Sequence, residues 1–235
     1  MSARFKAFLD LVVTLAIGVA SVLLIWRVAV DQASGAPPAP SKPTIEDLRS
    51  AGLMTRIGSE ARLGSSEAPL VIIEYSDFEC PFCARYAAEI FPSIEQDFIA
   101  AGRVEYVFRN YPLERIHPSA VTAAHVAKCA HRQGYVVPMR EFLFTHQQSL
   151  RAVKWTEAAV EMGLDRKMFE SCISAQDTSD IRTEKEEGTR LGVNSTPTFL
   201  FGQRRNNGEV RIVGRLRGAP PPELFPEAVD LVMKP

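Results

Sequence analysis

"YSDFECPFCARY", residues 75–86, sets two cysteines three positions apart directly after an apolar run, "LVIIEY" at 70–75. The run is short and rich in strand-forming residues, as expected of a strand buried on both faces. Pro81 suits the first turn of a helix, where its missing N–H is not needed. Behind it Phe82, Tyr86, Ile90, Ile94 and Phe98 recur at helical spacing, which predicts a helix from about Pro81 to Ala100 with a kink at Pro92. Gly102 ends that helix, and "RVEYVFRNYP" (103–112) reads as a second strand. Strand, helix, strand is a βαβ unit with a right-handed crossover. The cysteine spacing alone leaves three chemistries open: metal binding, a structural staple, or disulfide exchange.

Context narrows the choice. The chain has 235 residues, 46% hydrophobic and 23% charged, with a formal net charge of −1, so no basic excess points to nucleic acid. Arg4 and Lys6 precede "LVVTLAIGVASVLLIW" (11–26), which carries no charge. With Ala7 to Leu9 this approaches the ~20 residues that span a bilayer, Asp10 being tolerable only near the interface. Residues 1–30 are therefore read as a membrane anchor, Arg4 and Lys6 favouring a cytoplasmic N-terminus against the weaker pull of Arg27. A cleaved signal peptide cut near "ASGA" (33–36) is the alternative. "DQASGAPPAPSKP" (31–43) reads as a stiff, extended tether. Either reading exports the remainder, to a periplasmic or other extracytoplasmic site. The four cysteines then sit where disulfides persist.

Elsewhere the pattern is mixed. "TIEDLRSAG" (44–52) looks like a short helix, and the segment after it starts with an edge strand. Residues 115–191 read as helical throughout, with Asp165 and Thr156 as N-caps and a solvated, mixed-charge face along "SDIRTEKEEGTRLG" (179–192). Strands return with "PTFLFG" and "EVRIVG" around an "NNG" turn, and "PPELFPEAVDLVMK" closes the chain as a helix. The order predicts an α/β fold: a mixed sheet with helices on both faces, built from 44–114 and 192–235, and an inserted all-α lid at 115–191.

At the cysteine pair, a helix N-terminus places about half a positive charge beside Cys80 and favours its thiolate. Cys80 is expected to be the exposed nucleophile and Cys83, almost a turn further in, the resolving thiol. Glu74 lies near the end of an apolar strand. Burial favours its neutral form, which suits a proton relay to Cys83; a solvated edge position is the alternative. Glu79 borders Cys80, where its charge opposes a thiolate unless solvent screens it. Phe82 offers no donor and reads as part of an apolar docking surface. In "NSTPTFLFG" (194–202), Pro197 opens a strand; a trans Thr196–Pro197 bond is the commoner case and a cis bond the purposeful one. His125 and Cys129 stand four apart on one helix, a weak metal signal without further ligands, and no metal or cofactor is assigned.

"EYSDFECPFC" (74–83) followed by "GVNSTPTFLFG" (192–202) resembles the DsbA-like thiol:disulfide oxidoreductases, over roughly residues 60–232. The resemblance implies a thioredoxin fold with an inserted helical domain and a Cys80–Cys83 redox pair. It implies a cis Pro197 after Thr196 beside that pair, lining a substrate groove to which Pro81 and Phe82 contribute. Glu74 matches the buried acid beneath the pair. Some relatives join two cysteines placed like Cys129 and Cys172, which implies a structural disulfide here. "QGYVVPMREF" (133–142) departs from the family where relatives often carry an aromatic pair, a difference that bears on how the lid packs and not on the redox chemistry. The implied partners are exported proteins with cysteine pairs and a quinone-linked membrane protein that reoxidises the enzyme. A reductase or isomerase, a peptide-binding holdase with an inert disulfide, and a zinc site on Cys80 and Cys83 are the competing readings.

Overall fold

The structure is a computed structural model and describes residues 21–27, 45–220 and 224–233. The chain divides into two units, Met1–Lys42 and Pro43–Pro235. In the first, residues 21–27 are helical, with Val22 to Trp26 exposed. The expected anchor at 1–30 lies mostly outside the described residues and the tether at 31–43 wholly so. Among the described residues no helix is long and apolar enough to cross a membrane.

The second unit is built on a seven-stranded sheet. Its strands are β1 (Glu46–Asp47), β2 (Met54–Arg56), β3 (Arg62–Leu63), β4 (Leu70–Ser76), β5 (Val104–Asn110), β6 (Thr198–Arg204) and β7 (Glu209–Arg217). They run in the order β1-β7-β6-β4-β5-β3, with β2 also on β7. Only β4 and β5, the two ends of the βαβ unit, pair in parallel. Every residue of β4 is buried, as its unbroken apolar run requires. Leu70 and Ile72 face one core with Tyr86, Phe199 and Phe225, while Val71, Ile73 and Tyr75 face a second with Leu191 and Leu200.

The helix after Cys80 is shorter than its periodicity predicts. α1 (Pro81–Glu89) ends at Ile90, α2 (Phe91–Ile94) restarts with Pro92 in its first turn, and Glu95–Ile99 widens into a π-turn. Pro92 has no N–H to continue the ladder, so the apolar stripe is kept while the axis is broken. "TIEDLRSAG" is not helical where it is described. Glu46 and Asp47 pair with Arg215 and Gly214 on the sheet edge, and the Glu46 carboxylate binds the Arg215 and Arg217 guanidiniums.

Between β5 and β6 lie α3 (Ala120–His131), α4 (Val136–Thr145), a 3-10 turn (Gln147–Ala152), α5 (Trp155–Glu161), α6 (Arg166–Ala175) and α7 (Ser179–Arg190). Asp165 caps α6 by accepting from the Met168 N–H, as expected; Thr156 does not cap α5, which starts at Trp155. α7 is not merely a solvated face. Ile181, Glu184 and Gly188 are buried, and a Cβ at position 188 would stand 2.6 Å from the Tyr75 ring, so only glycine permits this approach. Cys129 of α3 is bonded to Cys172 of α6, 43 positions on. In the chain-entropy model that closure stabilises the fold by about 4 kcal/mol. The helices share a third core, holding Phe78, Val126, Leu143 and Phe169, and both Cys80 and Cys83 belong to it.

Candidate functional site: a dithiol between sheet and lid

Strand β4 ends at Ser76, and Asp77 then turns the chain. Its carboxylate accepts from the Glu79 N–H (2.7 Å), the Leu113 N–H (2.7 Å) and His117 Nδ1 (2.8 Å). This pins the 113–117 loop beside the cysteine turn. His117 is thus fastened to Asp77. Glu79 accepts a hydrogen bond from the Ser119 N–H, so its charge is directed to that backbone group. Gln147 Nε2 donates to the carbonyls of Phe78 (2.8 Å) and Cys80 (3.0 Å), tying the same turn to the lid. Sequence reasoning missed Asp77 and Gln147. An aspartate directly after a strand was a readable signal, since such residues organise turns through their own carboxylates; Gln147 carried none.

Cys80 is the N-cap of α1, in extended conformation, with Pro81 as the first helical residue. Both thiols are free and buried. Cys80 is 4% exposed and Cys83 wholly covered. The predicted order of accessibility holds, but Cys80 is not the open surface thiol that was expected, because the lid core closes over it. Its Sγ lies 3.3 Å from the Thr196 carbonyl, and the Thr196–Pro197 bond is cis. Thr196 and Pro197 are themselves buried, whereas Pro81 and Phe82 are exposed.

The electrostatics separate the two sulfurs. Cys80 is lowered to about 6, first by a hydrogen bond from the Cys83 thiol and then, against the opposing effect of burial, by Thr196 and the backbone N–H groups of Cys83 and Phe82. The helix N-terminus therefore acts as predicted but is not the largest cause. Cys83 is pushed well up by burial, with the proximity of Cys80 adding to it, while Ser76 and the Asp77 backbone pull weakly the other way.

Glu74 is fully buried, which excludes the solvated alternative. Its carboxylate accepts two contacts from Arg140 Nη2 (2.6 and 2.8 Å) and one from the Tyr106 hydroxyl (2.8 Å). Tyr106 is bonded in turn to Tyr86 (2.9 Å). Glu74 thereby ties the sheet to Arg140 of the lid, while the polar groups that act on Cys83 include Cys80, Ser76 and Asp77. Arg140 belongs to "QGYVVPMREF", the stretch that departs from the family pattern. Among the described residues, His125, Cys129 and Cys172 also cluster with ligand character, but their two sulfurs are already joined.

A family model described as "Thioredoxin" matches residues 57–213. The chain belongs to the thioredoxin family. Among solved structures it is similar to alpha-DsbA1 of Wolbachia pipientis, with a TM-score of 0.61 and 22% identity over 75% of this chain and 92% of that one. BdbD of Bacillus subtilis, in its oxidised form, has a TM-score of 0.61 and 18% identity over 78% of this chain and 99% of that one. DsbA2 of Pseudomonas aeruginosa has a TM-score of 0.58 and 24% identity over 74% and 94%. The fold is DsbA-like: a thioredoxin-type sheet with helices inserted between β5 and β6. Curated relatives include a Na(+)/H(+) antiporter NhaA 1 of Mycobacterium sp. (strain KMS), 34% identical over 148 residues, 62% of this chain and 24% of that protein. NhaA 3 of Salinispora tropica is 34% identical over 150 residues, 63% of this chain and 22% of that protein. The chain spans about a quarter of the length of these relatives.

Proposed function

We propose that this chain is a thiol:disulfide oxidoreductase of the cell envelope that oxidises cysteine pairs of exported proteins through a Cys80–Cys83 disulfide. The observation that carries the reading is the split between the two thiols, with Cys80 at about 6 and Cys83 raised. At pH 7 a thiol of that acidity is about 90% ionised, against about 3% for an ordinary cysteine. In the reaction a substrate thiolate attacks Cys80 Sγ of the disulfide. The S–S bond breaks, its electron pair passes to Cys83, and Cys83 takes up a proton because the thiol is its favoured form. A second substrate thiolate then attacks the substrate sulfur of the mixed disulfide, and Cys80 departs as a stabilised thiolate. The substrate loses two electrons and leaves with a disulfide; the enzyme is left reduced.

The direction follows from the same asymmetry. A stabilised thiolate exists only in the reduced enzyme, so it favours reduction of the enzyme and oxidation of the partner. Pro81 and Phe82 present an exposed apolar edge to the substrate, and the Thr196 carbonyl, next to the cis Pro197, lies against the Cys80 sulfur. Placement outside the cytoplasm, tethered through residues 1–30, and reoxidation by a quinone-linked membrane partner rest on the uncharged apolar stretch and the family resemblance.

Alkylation of Cys80 across a pH series is expected to show a midpoint near pH 6, with Cys83 unreactive until far higher pH. A Cys80 midpoint near 8.5 would remove the basis of the reading. Equilibration with glutathione tests direction: the couple is expected above about −200 mV, toward DsbA at about −120 mV. A value near thioredoxin's, about −270 mV, would make the protein a reductase.

A further inference from the structure

We propose that the Cys129–Cys172 disulfide is a second exchange site, which accepts a small thiol bearing carboxylates, attacking at Cys172. The bridge is not enclosed. It forms the floor of a surface pocket of about 530 Å³, within the ~300–1,000 Å³ of small-molecule sites. Arg132, Gln133, Lys167, Met168 and Ser171 wall it, and its only charged walls are the cations Arg132 and Lys167. Asp177 shares the field of Arg132 and His125 but is not among those walls. A ligand with carboxylates on a short peptide-like frame fits that charge and size; a cationic thiol does not.

The two sulfurs are placed unequally. Cys172 is partly exposed, while Cys129 is 1% exposed behind it. Arg132 Nη1 lies 3.6 Å from Cys172 Sγ, where it draws an incoming thiolate to that sulfur. His125 Nε2 lies 3.1 Å from the Cys172 carbonyl, an acceptor only, so this nitrogen carries the proton. The same nitrogen is 3.8 Å from Cys129 Sγ. Attack at Cys172 therefore expels Cys129 as a thiolate next to an N–H donor. The incoming thiolate forms a new S–S bond to Cys172, the Cys129–Cys172 bond breaks, and its electron pair stays on Cys129. A second small thiol then attacks the mixed disulfide, releasing the thiol's own dimer and leaving Cys172 reduced. The lid's tie between α3 and α6 thereby reports the thiol content of its surroundings. It does so inside the same apolar core that holds Cys80 and Cys83.

The test uses the full chain carrying Cys80→Ser and Cys83→Ser, so its outcome is independent of exchange at the first pair. Glutathione, 2-mercaptoethanol and cysteamine are each added at low salt and the reaction is quenched with iodoacetamide. Peptide mass spectrometry is expected to place glutathione on Cys172 and the alkyl label on Cys129. Per thiolate, glutathione is expected to react on the order of tenfold faster than cysteamine, with 2-mercaptoethanol between them. Reversing the two exposed cations, Arg132→Glu with Lys167→Glu, is expected to abolish or invert that order. Adducts that form only in denaturant, adducts on Cys129, equal rates for the three thiols, or an order untouched by charge reversal would each overturn the proposal.

Discussion

Cys80→Ser is expected to reduce oxidation of a dithiol substrate to the uncatalysed background. Cys83→Ser, offered a substrate that already carries a disulfide, is expected instead to accumulate a mixed disulfide, because the Cys80 thiolate attacks that bond and expels one substrate sulfur. The two variants differ by a single sulfur each, and their opposite outcomes follow from the geometry. Cys80 retains the only open surface of the pair and is the better leaving group, since Cys83 and Thr196 both hold its anion. With Cys83 absent, no internal thiol is left to displace a substrate from Cys80, so the covalent complex persists until an external thiol arrives. Removing Cys83 also removes the hydrogen bond that does most to stabilise the Cys80 thiolate. The trapped variant should therefore ionise Cys80 at higher pH than the parent, visible in the same alkylation profile. Continuous assay of a two-cysteine peptide, with gel analysis of the covalent adduct, checks both. Undiminished peptide binding and unchanged folding assistance by Cys80→Ser would return the protein to the holdase reading.

Most of the sheet and the position of the dithiol could be read from the chain, because each rests on a local signal. The apolar run at 70–75 has one structural solution, a strand covered on both faces, and Pro81 fixes where the next helix begins. The "NNG" turn likewise places β6 against β7: Arg205 N donates to the Glu209 carbonyl at 2.7 Å, and Gly208 takes a positive φ of 80°. The resemblance added what local signals left open, a cis Thr196–Pro197 bond and the joining of Cys129 to Cys172. What was not legible depends on contacts between distant segments. The shielding of Cys80 comes from a lid that begins 35 residues downstream in the chain, helped by groups such as Gln147 that carry no motif. The short β1 strand forms in place of a helix because β7 offers it an edge and two arginines. Local propensity cannot report that. Glu74 is the clearest case. Its burial was readable, yet its chemistry is set by Arg140, a residue 66 positions away in the one stretch that departs from the family pattern.

Arg140→Met is expected to destabilise the fold by about 3–5 kcal/mol, the cost of leaving one charge of a buried pair uncompensated. Arg140 is 5% exposed and Glu74 not at all. Arg140 also stacks near Phe108 (4.7 Å) and Phe144 (4.8 Å), so a flexible apolar side chain can occupy the same space. Burial opposes the guanidinium's charge, but Glu74 and the two tyrosines outweigh it and raise Arg140 above its ordinary range. With Arg140 gone, the Glu74 carboxylate keeps only the Tyr106 hydroxyl. At about 2–4 °C per kcal/mol for a protein of this size, the melting midpoint should fall by roughly 6–20 °C. Replacing both partners, Glu74→Leu with Arg140→Met, removes the stranded charge and should recover most of that loss, since an apolar pair of similar volume is often as stable as the ions it replaces. The double variant also separates anchoring from proton transfer. If Glu74 only fastens the lid, the refolded double variant keeps the parent's pH dependence of disulfide exchange. A profile displaced along the pH axis in a variant of parental melting point would instead return Glu74 to the chemistry of Cys83.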